Sequence, residues 1–148
     1  MNFNNFTIKS QEAVQQAIQL VQNRGQQAIE AEHLLAGVLK VGENVTNFLF
    51  QKLGMNGPQI ANVLDKQIAS LPKVTGGEPY LSRTSNEVLQ KSVELSKGLG
   101  DEYVSLEAML LALLSVKSTA STILKDAGMN EKDLRTAINE LRQGQKVT

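Results

Sequence analysis

The chain has 148 residues, fifteen basic against fifteen acidic, and no cysteine. Balanced charge leaves no basic footprint for nucleic acid, and the missing thiols exclude disulfides and thiolate zinc sites; no apolar run reaches the ~18 residues of a membrane span. Aromatic residues make up 4% against 41% apolar content, which favours an aliphatic core carried by helices. The amino terminus lacks the basic-then-apolar build of a secretory signal, so a cytoplasmic location is expected. Thr7 is a good N-cap, and Val14, Ala17, Ile18 and Val21 follow at helical spacing, predicting a first helix over about 8 to 24, ended by Gly25. A second, about 31 to 41, turns Leu34, Leu35, Val38 and Leu39 inward and stops at Gly42. A third, about 45 to 53, is expected to bury Val45, Phe48, Leu49 and Leu53, with Gly54 as its C-terminal glycine. Asn56 caps a fourth with Pro58 in its first turn and Ile60, Val63, Leu64 and Ile68 as its face.

Residues 71–81 break the pattern, and Pro72, Gly76, Gly77 and Pro79 predict a linker without regular structure. Then the chain repeats itself. Glu32-His33-Leu34-Leu35-Ala36-Gly37-Val38-Leu39 returns seventy-five positions later as Glu107-Ala108-Met109-Leu110-Leu111-Ala112-Leu113-Leu114. Ile29-Glu30 precedes the first copy and Val104-Ser105 the second; Ser82 stands for Thr7 and Gly100 for Gly25. Gly128-Met129-Asn130 repeats Gly54-Met55-Asn56 one position out of that register. A fifth helix carries Val88, Leu89, Val93 and Leu95; a seventh carries Ile123, Leu124 and Ala127, and an eighth Leu134, Ala137, Ile138 and Leu141. The expectation is an all-α domain of eight helices in two pseudo-twofold-related four-helix repeats, 1–70 and 82–144, with no strand of consequence and a frayed polar tail, 145–148. Each repeat, roughly 65 residues, is too small to hold a comfortable core alone.

The doubled Glu-x-x-Leu helix, the eight-helix plan and the Gly-Met-Asn turns resemble the Clp N-terminal repeat domain, the amino-terminal module of the Clp protein-unfolding ATPases. Leu71-Pro72-Lys73-Val74-Thr75-Gly76 is similar to the linker of the disaggregase branch, the ClpB type. The resemblance implies a non-catalytic domain that weakly binds apolar segments of unfolded or aggregated proteins, or docks an adaptor. It also implies that ATP, magnesium and hexamer assembly belong to ATPase modules beyond this stretch, which itself needs no cofactor and is expected to be monomeric. Gly37 to Gly42 has the glycine spacing of a nucleotide-binding loop, but Glu43 follows instead of lysine.

Catalysis finds no support in the residues. His33 is the sole histidine, lacks ligand partners at metal spacing, and has Ala108 as its second-repeat counterpart, so it reads as a packing or helix-surface residue. Glu32 and Glu107 suit the positive end of a helix dipole. If Thr7 lies beside Glu32 and Ser82 beside Glu107, each half presents a hydroxyl, free helix-start amides and an acid, a set able to hold phosphate and guanidinium. In the protease-partnered relatives, residues at such positions resemble a phosphoarginine site. Asp101, whose counterpart is Gln26, reads as a loop acid capping a turn; the resemblance makes Thr7, Asp101 and Glu107 a set for substrate handling. Leu106 replaces Ala31 and Leu111 replaces Ala36. These extra leucines either seal the joint between halves or line an exposed groove with Leu95 and Leu99, where Lys91 and Ala108 stand in place of the leucines of some relatives, leaving it shallower.

Overall fold

Caps and glycines divide the chain where the sequence places them. In a computed structural model describing residues 2–148, the helices are α1 (Ile8–Asn23), α2 (Ala31–Val41), α3 (Glu43–Lys52), α4 (Gly57–Ala69), α5 (Arg83–Gly98), α6 (Leu106–Ser115), α7 (Thr119–Asp126) and α8 (Glu131–Arg142). Residue 1 of the predicted first repeat lies outside the described residues. Thr7, Ser82, Asn56 and Asn130 each accept, through a side-chain oxygen, the amide three residues on, which satisfies an orphan donor of the first turn. Gly25, Gly54, Gly100 and Gly128 follow α1, α3, α5 and α7 with positive φ, the left-handed turn that glycine adopts at no steric cost.

The core is aliphatic, as expected, and α2 and α6 run through its centre. Every residue of α6 but the last is buried, and Leu34, Leu35 and Val38 of α2 are wholly so. Where α1 meets α2 the backbones touch: a Cβ on Gly37 would lie 2.1 Å from the Ala13 carbonyl oxygen. Leu106 rests on the α2–α3 turn, where a Cβ on Gly42 would come within 2.7 Å of its Cδ1. The second-repeat leucine thus fills space left by a first-repeat glycine.

Two short parallel pairings tie the halves, and they are twins. β1 (Ala28–Ile29) pairs with β2 (Tyr80–Leu81), and Phe6 bridges Val104. Shifting Phe6 and Val104 by the repeat length, in opposite directions, gives Leu81 and Ile29. The segment before each long helix therefore pairs with the other half, and the pseudo-twofold axis runs between these crossings.

Several local expectations are corrected. α3 begins two residues early, at Glu43, and buries Thr46, Leu49 and Phe50, while Val45, Phe48 and Leu53 are half-buried. Thr46 is accommodated because its hydroxyl donates to the Gly42 carbonyl at 3.0 Å. Val63 is 46% exposed, because α4 turns only the Ile60–Leu64–Ile68 stripe inward. The linker gives up Tyr80 and Leu81 to the two-residue strand, and Val74 donates its amide to Gly25 at 2.9 Å. The tail is not simply frayed: Glu102 donates to the Val147 carbonyl at 2.7 Å, and Val147 to Asp101 Oδ1 at 3.0 Å.

Candidate functional site

The groove expected between α5 and α6 is not built as the sequence suggested. Leu111 and Ala108 are 0% exposed and line no surface, whereas Leu95 on α5 and Leu99 just past its end are half-buried. The physical reason is volume: leucine at 111 fills the angle between the helices instead of walling it. The first half carries Ala36 at that place, half-buried, and there the angle stays open. A cleft of ≈ 370 Å³ runs between α1, α2 and α4, lined by Leu20, Ala36, Leu39, Ala61, Leu64 and Ile68, with Lys40 and Asp65 at its rim. A smaller space beyond Leu20 and Ala36 is bounded by Gln16, Gln19 and Asn23. Leu20 is the first-half counterpart of Leu95.

The polar residues assemble differently from the expected pairs. Thr7 donates its amide to the Val104 carbonyl at 3.0 Å, and Ser82 to that of Ile29 at 3.1 Å. Thr7 thus joins the turn before Glu107, and Ser82 the turn before Glu32, across the halves rather than within them. Both hydroxyls are engaged in their own caps, Thr7 with Ser10 at 2.8 Å and Ser82 with Ser85 at 3.1 Å.

Asp101 and Glu107 do meet at one corner, around a residue that sequence reasoning missed, while Thr7 bonds elsewhere, to Val104 and Ser10. Arg142, the last residue of α8, has a side chain only 9% exposed. Its Nε donates to Glu107 Oε2 at 3.0 Å, Nη1 to Asp101 Oδ1 at 3.0 Å, and Nη2 to Ser105 Oγ at 2.9 Å. Asp101 is therefore no surface turn-cap. Burial alone would lower the arginine pKa, but the Asp101 hydrogen bond and the Glu107 charge outweigh it and hold it above its ordinary value. The signal was legible: Leu134, Ile138 and Arg142 are spaced by four, so an arginine sits on the buried stripe where α4 has Ile68.

The first half solves the same corner without charge pairing. His33 is wholly buried, as a packing residue. Its Nδ1 accepts the Glu30 amide at 2.9 Å, so Nε2 carries the proton and donates to Gln26 Oε1 at 2.7 Å. Gln26 Nε2 passes the chain on to the Ile68 carbonyl at 2.7 Å. Burial, with the Arg24 charge second, pushes His33 down to about 4. Glu32 is buried, and no ion pair to it occurs among the described residues. Burial raises its pKa against the bonds from its own amide and Gln67, with nearby Glu30 adding to the rise.

No cluster of three metal-ligating side chains occurs among the described residues, and Gly37 lies inside α2, not in a phosphate-binding loop. No single helix there is long and apolar enough to cross a membrane. The Clp repeat N-terminal domain family matches residues 5–127. The chaperone protein ClpB of Bacteroides thetaiotaomicron is 78% identical over 148 residues and that of Porphyromonas gingivalis 54%; each comparison covers 100% of this chain and 17% of the relative. The chain therefore spans about a sixth of the length of these curated relatives. Among solved structures, the Hsp104 N-terminal domain from Candida albicans matches with a TM-score of 0.85 at 22% identity, covering 97% of this chain and 95% of that one. A ClpV N-domain in complex with a VipB peptide matches at 0.74 and 21%, covering 97% and 90%. The solved structures share the fold, and the family match over most of the length, with whole-chain identity to two ClpB chaperones, assigns the sequence: this chain belongs to the Clp repeat N-terminal domain family.

Proposed function

We propose that the domain recognises clients for a ClpB-type chaperone in the cytoplasm, holding apolar segments of unfolded or aggregated proteins without catalysing anything itself. The observation that carries this reading is the open apolar cleft between α1, α2 and α4. Its lining offers no directional polar groups beyond the rim, so it selects for apolar side chains rather than a sequence. The contact area is small and association costs several kcal/mol, so a single site binds weakly, and several copies on a ring raise the avidity. Leu39→Asp tests it. Leu39 is half-buried at the cleft mouth. The variant is expected to keep its helical circular dichroism and to bind a permanently unfolded apolar polypeptide about tenfold more weakly or worse. Undiminished binding by the folded variant would place the client site elsewhere.

A second reading, docking of a defined peptide from an adaptor, draws on the ClpV N-domain structure with a VipB peptide. The two readings separate on sequence dependence: an adaptor peptide loses affinity when scrambled, an apolar client segment does not. For phosphoarginine, Glu107 is already engaged by Arg142, which leaves Glu32 as the candidate acid. Calorimetry with phosphoarginine tests that seat, and no heat at millimolar ligand removes it.

A further inference from the structure

The duplication supplies its own control. α4 lies against α7 and α8 against α3, and the two junctions correspond as Gly54-Met55-Asn56 corresponds to Gly128-Met129-Asn130. At the second junction α3 contributes Phe48 and Leu53, both half-buried, and Lys52. The Lys52 Nζ lies 3.4 Å from Glu140 Oε2 of α8 and 5.6 Å from the centre of the Phe48 ring. At the first junction the corresponding residues are Thr122, Ala127 and Asp126. An aromatic ring and most of a leucine side chain are missing there. A cavity of ≈ 490 Å³ opens between α4 and α7, lined by Ile60, Val63, Ile123 and Ala127, with Gln59 and Asp126 at its rim.

Two features set this cavity apart from a packing gap. One is apolar. Val63 is 46% exposed, while its counterpart Ala137, a smaller residue, is 3% exposed. The other exposed large apolar side chains among the described residues are Ile8 at the start of α1, Val74 in the linker, Tyr80 in β2 and Tyr103 in a loop. Val63 alone stands in the body of a helix, where a solvated position gains nothing from a β-branched side chain. The other feature is charge. Lys52 ends α3 and Asp126 ends α7. Aligned peptide dipoles leave that end of a helix negative, so lysine has the favourable sign and aspartate the unfavourable one. Asp126 also forms no ion pair among the described residues. The mouth of the cavity is a negative point without its cation.

We propose that the α4–α7 cavity docks a segment of a partner protein carrying an aromatic and an aliphatic side chain flanked by lysine or arginine, the groups that the twin junction has and this one lacks. The apolar pair covers Val63 and Ile123, and the cation meets Asp126. The client cleft uses other residues of α4, Ala61, Leu64 and Ile68, so the docking site stands independently of that reading. The contact is small and an exposed ion pair adds little, so binding is weak and is read by NMR.

The probe is acetyl-Gly-Lys-Phe-Leu-Lys-Gly amide, titrated into the full chain beside versions with glutamate for both lysines and with serine for Phe-Leu. The lysine peptide is expected to shift the Val63 methyl and Ala127 amide resonances, and the serine version not measurably. The glutamate version is expected to bind about threefold more weakly or worse. Asp126→Lys, an exposed change that gives α7 the sign of its twin, is expected to reverse that order. Thr122→Phe with Ala127→Leu copies the α3 residues and is expected to abolish the shifts while the fold is kept; Asp126→Lys decides the matter where this double variant does not fold. Equal binding of the lysine and glutamate peptides, or undiminished shifts in the folded double variant, overturns the proposal. So does the appearance of the same shifts on concentrating the chain alone, which would seat a second copy on this face. Leu39→Asp is expected to leave the lysine peptide's shifts unchanged, so failure at the client cleft is read separately.

Discussion

His33 is neutral in the folded chain because both ring nitrogens are committed, one to a backbone amide and one to Gln26, with no room for a second proton. Its pKa falls from 6.5 to about 4 on folding. Above pH 6.5 the group is neutral in both states and its contribution is complete. Below that the unfolded chain takes up a proton that the folded chain refuses, so stability falls with pH until about 4. At pH 5 the loss is about 2 kcal/mol. Glu32 works the other way, since its raised pKa lets the folded state hold a proton more readily. Comparing the unaltered chain with His33→Gln isolates the histidine: by urea denaturation, the unaltered chain is expected to lose about 2 kcal/mol more between pH 7 and pH 5. Parallel slopes would mean that another group takes the proton. At Arg142 the expectation is larger. Arg142→Ala leaves two buried carboxylates without their cation and is expected to cost about 3–5 kcal/mol. Pairing Arg142→Ile with Asp101→Gln copies the first half's neutral solution and is expected to cost less than the single alanine variant, measured the same way.

The helices themselves were legible because their ends carry chemistry. Thr7, Asn56, Ser82 and Asn130 cap with their own side chains, and the glycines after α1, α3, α5 and α7 stop them, so local sequence was enough to place those ends. What local sequence did not determine was which neighbour a side chain meets. Leu111 read as surplus, either sealing a joint or walling an open groove; it is buried, and the second half uses leucine where the first uses alanine. Arg142 drew no reading from the sequence, because its partners lie thirty-five and more positions away. The same limit applies to Gly37, whose need for a missing side chain arises from Ala13 on another helix. Gly37→Ala is expected to cost about 1–3 kcal/mol by forcing α1 off α2. Gly98→Ala is the contrast: nothing lies within 4 Å of the added carbon, and the position is helical. It is expected to gain a few tenths to ~1 kcal/mol from lost freedom in the unfolded chain. Thermal melts of the two variants should move in opposite directions, and a stabilised Gly37→Ala would show the helix contact to be looser than drawn.

Across the whole molecule the duplication, visible in the sequence, accounts for the fold, but the crossing of its halves was not visible. Neither copy is closed on itself: Phe6 bridges Val104 and Ala28–Ile29 pairs with Tyr80–Leu81, so each half supplies the strand that the other needs. Leu106 sits on Gly42, and the α3–α8 face carries the Lys52–Glu140 ion pair. Cutting the chain in the exposed linker at Gly76–Gly77 would leave these contacts intact, because the linker's ties, Val74 to Gly25, Gln26 to Leu71 and Gln27 to Glu78, and the crossings all lie outside the cut. Separating the pieces would strip both cores, which at roughly 65 residues each fall below comfortable independent size. The expected behaviour is that of a split protein. Residues 2–76 and 77–148, made apart, are each expected to show little helix by circular dichroism. Mixed, they are expected to regain the intact spectrum with a melting temperature that rises with concentration, because association and folding are then one equilibrium. A half that folds alone to a cooperative melt would mean that the crossings decorate two finished bundles rather than complete two unfinished ones.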